Sequence, residues 1–334
     1  MRVAVLPLAL GTLAAGLAPR LAAAPTPAPF AVVAADGSGQ YRTVQAAVNA
    51  APQTTSAAAP WTIRIRPGVY REVVYVQREK HFVRLVGDSA ANTVITYDLR
   101  ASQPGPDGKP IGTFHTPTVW IDADDFSAEN LTFANSAGRV GQALALRVDG
   151  DRVQFRHCRF TGWQDTILAN RGRQYFQDCT ITGAVDFIFG AATAYFDHCD
   201  IVCLGNGYIT AASTPAGEPF GFVFAHCRVS APDPSTRTYL GRPWRDFASV
   251  LFLDCELPAA IRPAGWHNWN KPARERTARF AEYGNTGPGA GRAGRVAWER
   301  ALTAEQAAAI SPRAVLGGWD PASSPDAGRP RTSG

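Results

Sequence analysis

Apolar and polar positions along the middle of this chain alternate over short stretches, and these stretches recur at a longer period. Phe155-Arg-His-Cys158-Arg-Phe160 is followed by Phe176-Gln-Asp-Cys179-Thr-Ile181 and Phe196-Asp-His-Cys199-Asp-Ile201. Phe224-Ala-His-Cys227-Arg-Val229 and Phe252-Leu-Asp-Cys255-Glu-Leu257 complete the set. The five copies are spaced by 21, 20, 28 and 28 residues, and a looser variant, Ala128-Glu129-Asn130-Leu131-Thr132-Phe133, precedes them. Periods of about 20 to 30 residues mark a solenoid. Alternation inside each copy is the pattern of a strand. Phe, Cys and the last apolar residue do not fit one strict alternation, so each copy contains a bend. Leucine-rich repeats would need a Leu consensus, and helical arrays would need paired helices; neither is present. The pattern predicts an all-β chain folded as a single right-handed parallel β-helix, with coils stacked about 4.8 Å apart. The cysteines then form an internal ladder of small hydrophobes.

An open solenoid exposes sheet edges and needs caps. Thr43–Ala50 reads as a short amphipathic helix with an apolar face at Val44, Ala47, Val48 and Ala51, suited to plug the N-terminal end. Thr303-Ala-Glu-Gln306 is a capping-box pattern that opens a second short helix over Ala307–Ile310. Met1–Ala24 has the basic, apolar, small-residue order of a secretory signal peptide, an N-terminal anchor being the alternative. Residues 25–320 are then the β-helix domain, and 321–334, rich in Pro, Ser, Gly and Arg, a disordered tail.

Composition narrows the function. Charged residues are 18% of 334 and hydrophobic ones 46%, so the chain can build a core and is not a disordered acidic or basic tail. Removal of residues 1–24 takes away Arg2 and Arg20 and lowers the net charge from +5 to +3. No Lys/Arg run suggests nucleic acid, and a mildly basic exported protein suits an anionic polymer. The expected location is outside the cytoplasm, extracellular or periplasmic, with no membrane segment in the mature form. In an oxidising compartment Cys179–Cys199 is the preferred disulfide, free buried thiols being the alternative. His157, His198 and His226 share one repeat position, but parallel neighbours about 4.8 Å apart do not converge as zinc ligands must.

The repeat also positions two carboxylates. Asp165 lies seven residues after Cys158 and Asp186 seven after Cys179, in the matching contexts Gly162-Trp-Gln-Asp165 and Gly183-Ala-Val-Asp186. If the cysteines stack, the aspartate backbones lie about 5 Å apart on adjacent coils. Two carboxylates that close split their pKa values, which yields one proton donor and one nucleophile or base. A solvated polar ladder is the bland alternative.

The motifs around these aspartates resemble those of the pectinesterases, the pectin methylesterases of carbohydrate esterase family 8. Ile181-Thr-Gly-Ala-Val-Asp186-Phe-Ile-Phe-Gly190 is similar to the family signature. Gly141-Gln142-Ala-Leu-Ala-Leu-Arg147, Trp163-Gln164-Asp165-Thr and Leu240-Gly-Arg242-Pro-Trp244 stand in the family order. Arg66-Pro-Gly-Val-Tyr70-Arg-Glu72, Gly265-Trp266 and Asn285-Thr-Gly-Pro-Gly289 extend the likeness over about residues 32–320. The resemblance implies a parallel β-helix that hydrolyses methyl esters of polygalacturonate to pectate and methanol through an aspartyl acyl-enzyme. It implies Asp186 as nucleophile, Asp165 as general acid and then base, Gln142 and Gln164 as oxyanion donors, and Arg242 as the partner of Asp186. Trp244 would stack on a sugar, with Thr113, Trp163, Phe187 and Trp266 as further substrate contacts. Trp163 stands where many members have Tyr. No metal or organic cofactor is implied. The expected partner is methyl-esterified homogalacturonan, met by a monomer. Three other readings compete. A pectate lyase or polygalacturonase needs calcium carboxylates or separated acids. An acyl-thioester hydrolase is disfavoured by the intact Arg242-Pro-Trp244. A non-catalytic adhesin has no reason to keep both Asp, both Gln and Arg242 together.

Overall fold

The structure, a computed structural model, describes residues 30–323. The expected signal peptide lies outside the described residues, as does 324–334 of the expected tail. Strands wind as a right-handed parallel β-helix whose coils each have three faces. The first face is a ten-stranded parallel sheet that starts at Phe30–Val33 and ends at Arg279–Tyr283. The other two are joined in a 12-stranded sheet, because Thr180–Gly190 and Asp200–Ala212 run unbroken from one face into the next. Among the described residues no helix is long and apolar enough to cross a membrane.

The repeat produces the coil directly. Phe155, Phe176, Phe196, Phe224 and Phe252 lie in register on the first face, each ring 4.4–4.9 Å from the next in near-parallel stacks. The residue two further on makes the bend. His157, Asp178, His198, His226 and Asp254 all have φ between 50° and 54°, a left-handed conformation that reverses the alternation before the cysteine. Cys158, Cys179, Cys199, Cys227 and Cys255 are consequently inside, as the expected ladder. The expected Cys179–Cys199 disulfide is not formed; both are free thiols, as are the other four cysteines. In-register stacking gives every thiol the same direction. The Sγ of Cys179 donates to Phe155 O at 3.6 Å and that of Cys199 to Phe176 O at 3.5 Å, each a carbonyl of the preceding coil, so the thiols run parallel up the ladder instead of converging as a disulfide requires.

Helix α1 (Val44–Asn49) plugs the N-terminal end, with Val44, Ala47 and Val48 buried in the core. Its first two N–H groups, of Val44 and Gln45, donate to the two carboxylate oxygens of Glu72 at 2.8 and 2.9 Å. This assigns the Arg66–Glu72 motif a structural task. The capping box of α2 (Ala304–Ala308) forms as expected, with Thr303 and Gln306 satisfying each other's backbone N–H. This helix does not plug an end. Together with α3 (Pro312–Val315) it covers the outer side of the first face, where Ala307, Val315 and Leu316 pack on Tyr175, Tyr195, Val223 and Leu251. Pro321–Ser323, the three residues past the expected domain boundary, continue as a 3₁₀ turn, and Pro321 O accepts from Arg156 Nη2 at 2.6 Å.

Candidate active site

Asp165 and Asp186 sit where the second face turns into the third. Asp165 lies between the strands Arg159–Thr161 and Ile167–Ala169. Asp186 lies one coil on, inside Thr180–Gly190, where the pairing register shifts on either side of Val185. Asp165 N–H donates to Val185 O at 3.0 Å and ties the two coils together. Both aspartates have left-handed backbones, φ 62° and 50°. The glycine three residues before each makes the turn possible. A Cβ on Gly183 would lie 2.2 Å from Phe187 Cβ, and one on Gly162 would lie 2.6 Å from Thr166 Oγ1. The Gly-x-x-Asp spacing is therefore the way each carboxylate is pushed out of the sheet.

A cleft of about 300 Å³ opens over them. Thr113, Gln142, Gln164, Asp165, Asp186, Arg242 and Trp244 line it, as the sequence led one to expect, together with Phe114, Phe189, Ala211 and Trp269. Gln142 and Gln164 pair on adjacent coils, and Gln164 pairs with Val185 on the next. Among the described residues no protein group engages either side-chain amide, so both can donate to a ligand. Arg242 is two coils beyond Asp186. Its Nε and Nη2 donate to Asp186 Oδ1 and Oδ2 at 2.9 and 2.6 Å, a bidentate pair. Thr113 and Phe114 reach the cleft on a 3₁₀ turn, Thr113–His115, held by Arg147. Arg147 Nη1 donates to Phe114 O at 2.9 Å, and its Nε to Asp149 Oδ2 at 2.6 Å.

Burial pushes Asp165 from 3.8 up to about 8, and the neighbouring Asp186 charge adds to it. Arg242 opposes this, but it makes no hydrogen bond to Asp165. Burial also raises Asp186 from its ordinary value, against the hydrogen bonds and charge of Arg242. The guanidinium thus limits the rise at Asp186 rather than reversing it. A value of about 8 leaves a proton on Asp165 at neutral pH, while the bidentate cation is bonded to Asp186 alone.

Three expected substrate contacts, Phe187, Trp266 and Trp163, lie outside the lining. Phe187 is fully buried and Trp266 1% exposed, both in the core. The register shift after Val185 breaks the alternation, so that Phe187 and Ile188 both point inward and Phe189 outward. In the Trp266–Trp269 segment, irregular backbone with φ 60° at Trp269 buries the first indole against Phe280 and presents the second. Trp163 lies outside the lining, its ring covered by the Arg139 guanidinium at 3.9 Å. Sequence reading missed Phe189 and Phe114, and favoured Trp266 over Trp269 as the sugar contact. A Trp three residues after Trp266 was the one available signal.

A family model described as Pectinesterase matches residues 30–318. The chain is 43% identical over 281 residues to Pectinesterase 31 of Arabidopsis thaliana, covering 82% of this chain and 88% of that one. Its fold is similar to the pectin methylesterase from carrot, with a TM-score of 0.81 at 36% identity, over 88% of this chain and 95% of that one. A pectin methylesterase in complex with a hexasaccharide matches with a TM-score of 0.76 at 32% identity, over 87% and 98% of the two chains. The match therefore takes in the whole coil, both aspartates and the cleft between them, and the chain belongs to the pectinesterase family of carboxylic ester hydrolases.

Proposed function

We propose that the protein removes methyl esters from polygalacturonate, giving pectate and methanol through an acyl-enzyme on Asp186. The observation that carries this reading is the unequal carboxylate pair: Asp186 clasped by Arg242, and Asp165 on the preceding coil raised to about 8 with no cation bonded to it. An Asp186 oxygen attacks the ester carbonyl. The resulting oxyanion accepts hydrogen bonds from the Gln142 and Gln164 amides. Collapse breaks the bond to methoxide as Asp165 supplies the proton, and methanol leaves. The chain then holds a mixed anhydride and an ionised Asp165. Asp165 takes a proton from water, the hydroxide adds to the substrate-derived carbonyl, and the Asp186 carboxylate is released. Trp244 and Trp269 supply aromatic faces for sugar rings, and Thr113 a hydroxyl at the rim. Related proteins that carry pectin in their names, one of them bound to a hexasaccharide, support the choice of polymer. Action outside the cell, on cell-wall pectin and as a monomer, completes the proposal. The test is methanol release from methylated pectin by the wild type and Asp186→Ala. Methanol from the wild type alone, without chain cleavage, is the expected result. Shortened chains would favour a lyase or glycosidase, and undiminished release by the variant would remove Asp186 from the chemistry.

A further inference from the structure

Arg242 is held on its faces as well as at its edge. Its Cζ lies 3.8 Å from the centre of the Tyr208 ring and 3.7 Å from that of Trp269. The guanidinium edge meanwhile carries the two hydrogen bonds to Asp186. Trp269 lines the cleft, whereas Tyr208 does not. The coil puts Tyr208 in register with Val185, one coil beyond the residue that precedes Asp186. Tyr208 is itself stacked on Tyr239 of the following coil, 5.3 Å away and 10° from parallel. His267 leans on both rings at 5.6 and 5.4 Å. His267 Nδ1 also accepts from Trp269 N–H at 3.1 Å, which joins the second ring of the sandwich to the same column.

Two rings packed on a guanidinium shield it from most of the water, and the attraction of each ring for the cation is strengthened by that shielding. The rings also fix its plane, and a bidentate pair requires that plane to contain both carboxylate oxygens. We propose that Tyr208 is a positioning residue for ester hydrolysis: its ring face holds Arg242 in the plane that keeps Asp186 ready as nucleophile, with no contact to substrate. The proposal rests on the acyl-enzyme reading above. The groups that face Asp186 are Asp165 and Arg242, with His267 beyond the guanidinium. A loosened Arg242 stabilises the Asp186 charge less, so the acid limb of kcat/KM moves to higher pH.

The experiment measures kcat, KM and the pH profile of methanol release from methylated pectin. Tyr208→Phe keeps the ring and should retain most of the rate. Tyr208→Leu should lose about tenfold or more in kcat, raise the acid limb, and leave KM within about twofold. Phenylalanines of increasing fluorination at position 208 keep the shape while draining the ring face, which separates the effect from folding. Their kcat should fall stepwise with fluorination. A flat fluorination series, a Tyr208→Phe as impaired as Tyr208→Leu, or a change in KM alone would overturn the proposal. A wild type that releases no methanol would instead refute the reading of the enzyme's function.

Discussion

Asp165→Asn should inactivate the protein and, above acidic pH, make it more stable. The exchange keeps size and shape, and Asn tolerates the left-handed backbone at this position (φ 62°) as well as Asp does. What it removes is a charge that the fold resists. Asp165 is raised from 3.8 to about 8, first by burial and then by Asp186. An acid with a raised folded value binds its proton more tightly when folded. At pH below 3.8 both states are protonated and nothing is lost; as pH climbs toward about 8, the unfolded chain ionises freely and the folded one does not. With 1.36 kcal/mol per pH unit, the resulting penalty grows to about 4 kcal/mol at pH 7 and levels off near about 6 above pH 8. Asn carries none of it. At roughly 2 °C per kcal/mol for a domain of this size, Tm of Asp165→Asn should exceed that of the wild type by about 8 °C at pH 7. At pH 3.5 the two should nearly coincide. The assay is thermal unfolding of both proteins from pH 3.5 to 9, alongside methanol release, which should fall by about 10²–10⁴ for loss of a general acid and base. A Tm difference that is constant across pH, or that favours the wild type as pH rises, would refute the claim that Asp165 is held protonated.

Arg242→Gln should shift the acid limb of kcat/KM to higher pH, because the guanidinium that limits the rise at Asp186 is gone; Arg242→Lys should recover only part of the rate. An unchanged acid limb in folded Arg242→Gln would leave Arg242 as a sugar contact. Gln142→Ala should lower kcat by about 10²–10³ with little change in KM, as expected of a donor that acts in the transition state. A change in KM alone would make Gln142 a substrate-binding residue. Glu72→Ala should destabilise the fold by about 2 kcal/mol through loss of two charge-assisted bonds at the start of α1, with activity per folded molecule unchanged. Equal Tm in the two proteins would show that the cap contributes nothing.

The coil was legible because its signal is repeated: five Phe-x-[His/Asp]-Cys copies reinforce one another, and even the bend at His157 and its equivalents follows from their broken alternation. The aspartates inherited that register, and Gln164 with them; Gln142, Arg242 and Trp244 were legible only through motifs shared with the family. Positions governed by a single local event were not legible. The register shift at Val185 exchanged Phe187 for Phe189 at the surface, and irregular backbone exchanged Trp266 for Trp269. Tyr208 carries no local pattern at all. Its meaning arises only when three coils bring it beside Arg242. The cysteines show a different limit: spacing gave their stacking, but not the direction of their thiols, which decides between a disulfide and a ladder.

The stacked phenylalanine column also bears on how such a protein can vary. Each coil hands the next the same ring, the same bend and the same thiol, so a coil can be added or deleted without designing a new interface. A coil inserted between Asp165 and Asp186 would move them another strand spacing apart, about 4.8 Å, and abolish their coupling. A coil gained or lost beyond Cys255, or before Ala128, would leave that pair intact. The two aspartates, both glutamines and Arg242 occupy only the coils from Gln142 to Arg242, so coils outside that block can vary in number without touching the spacing of the two carboxyls.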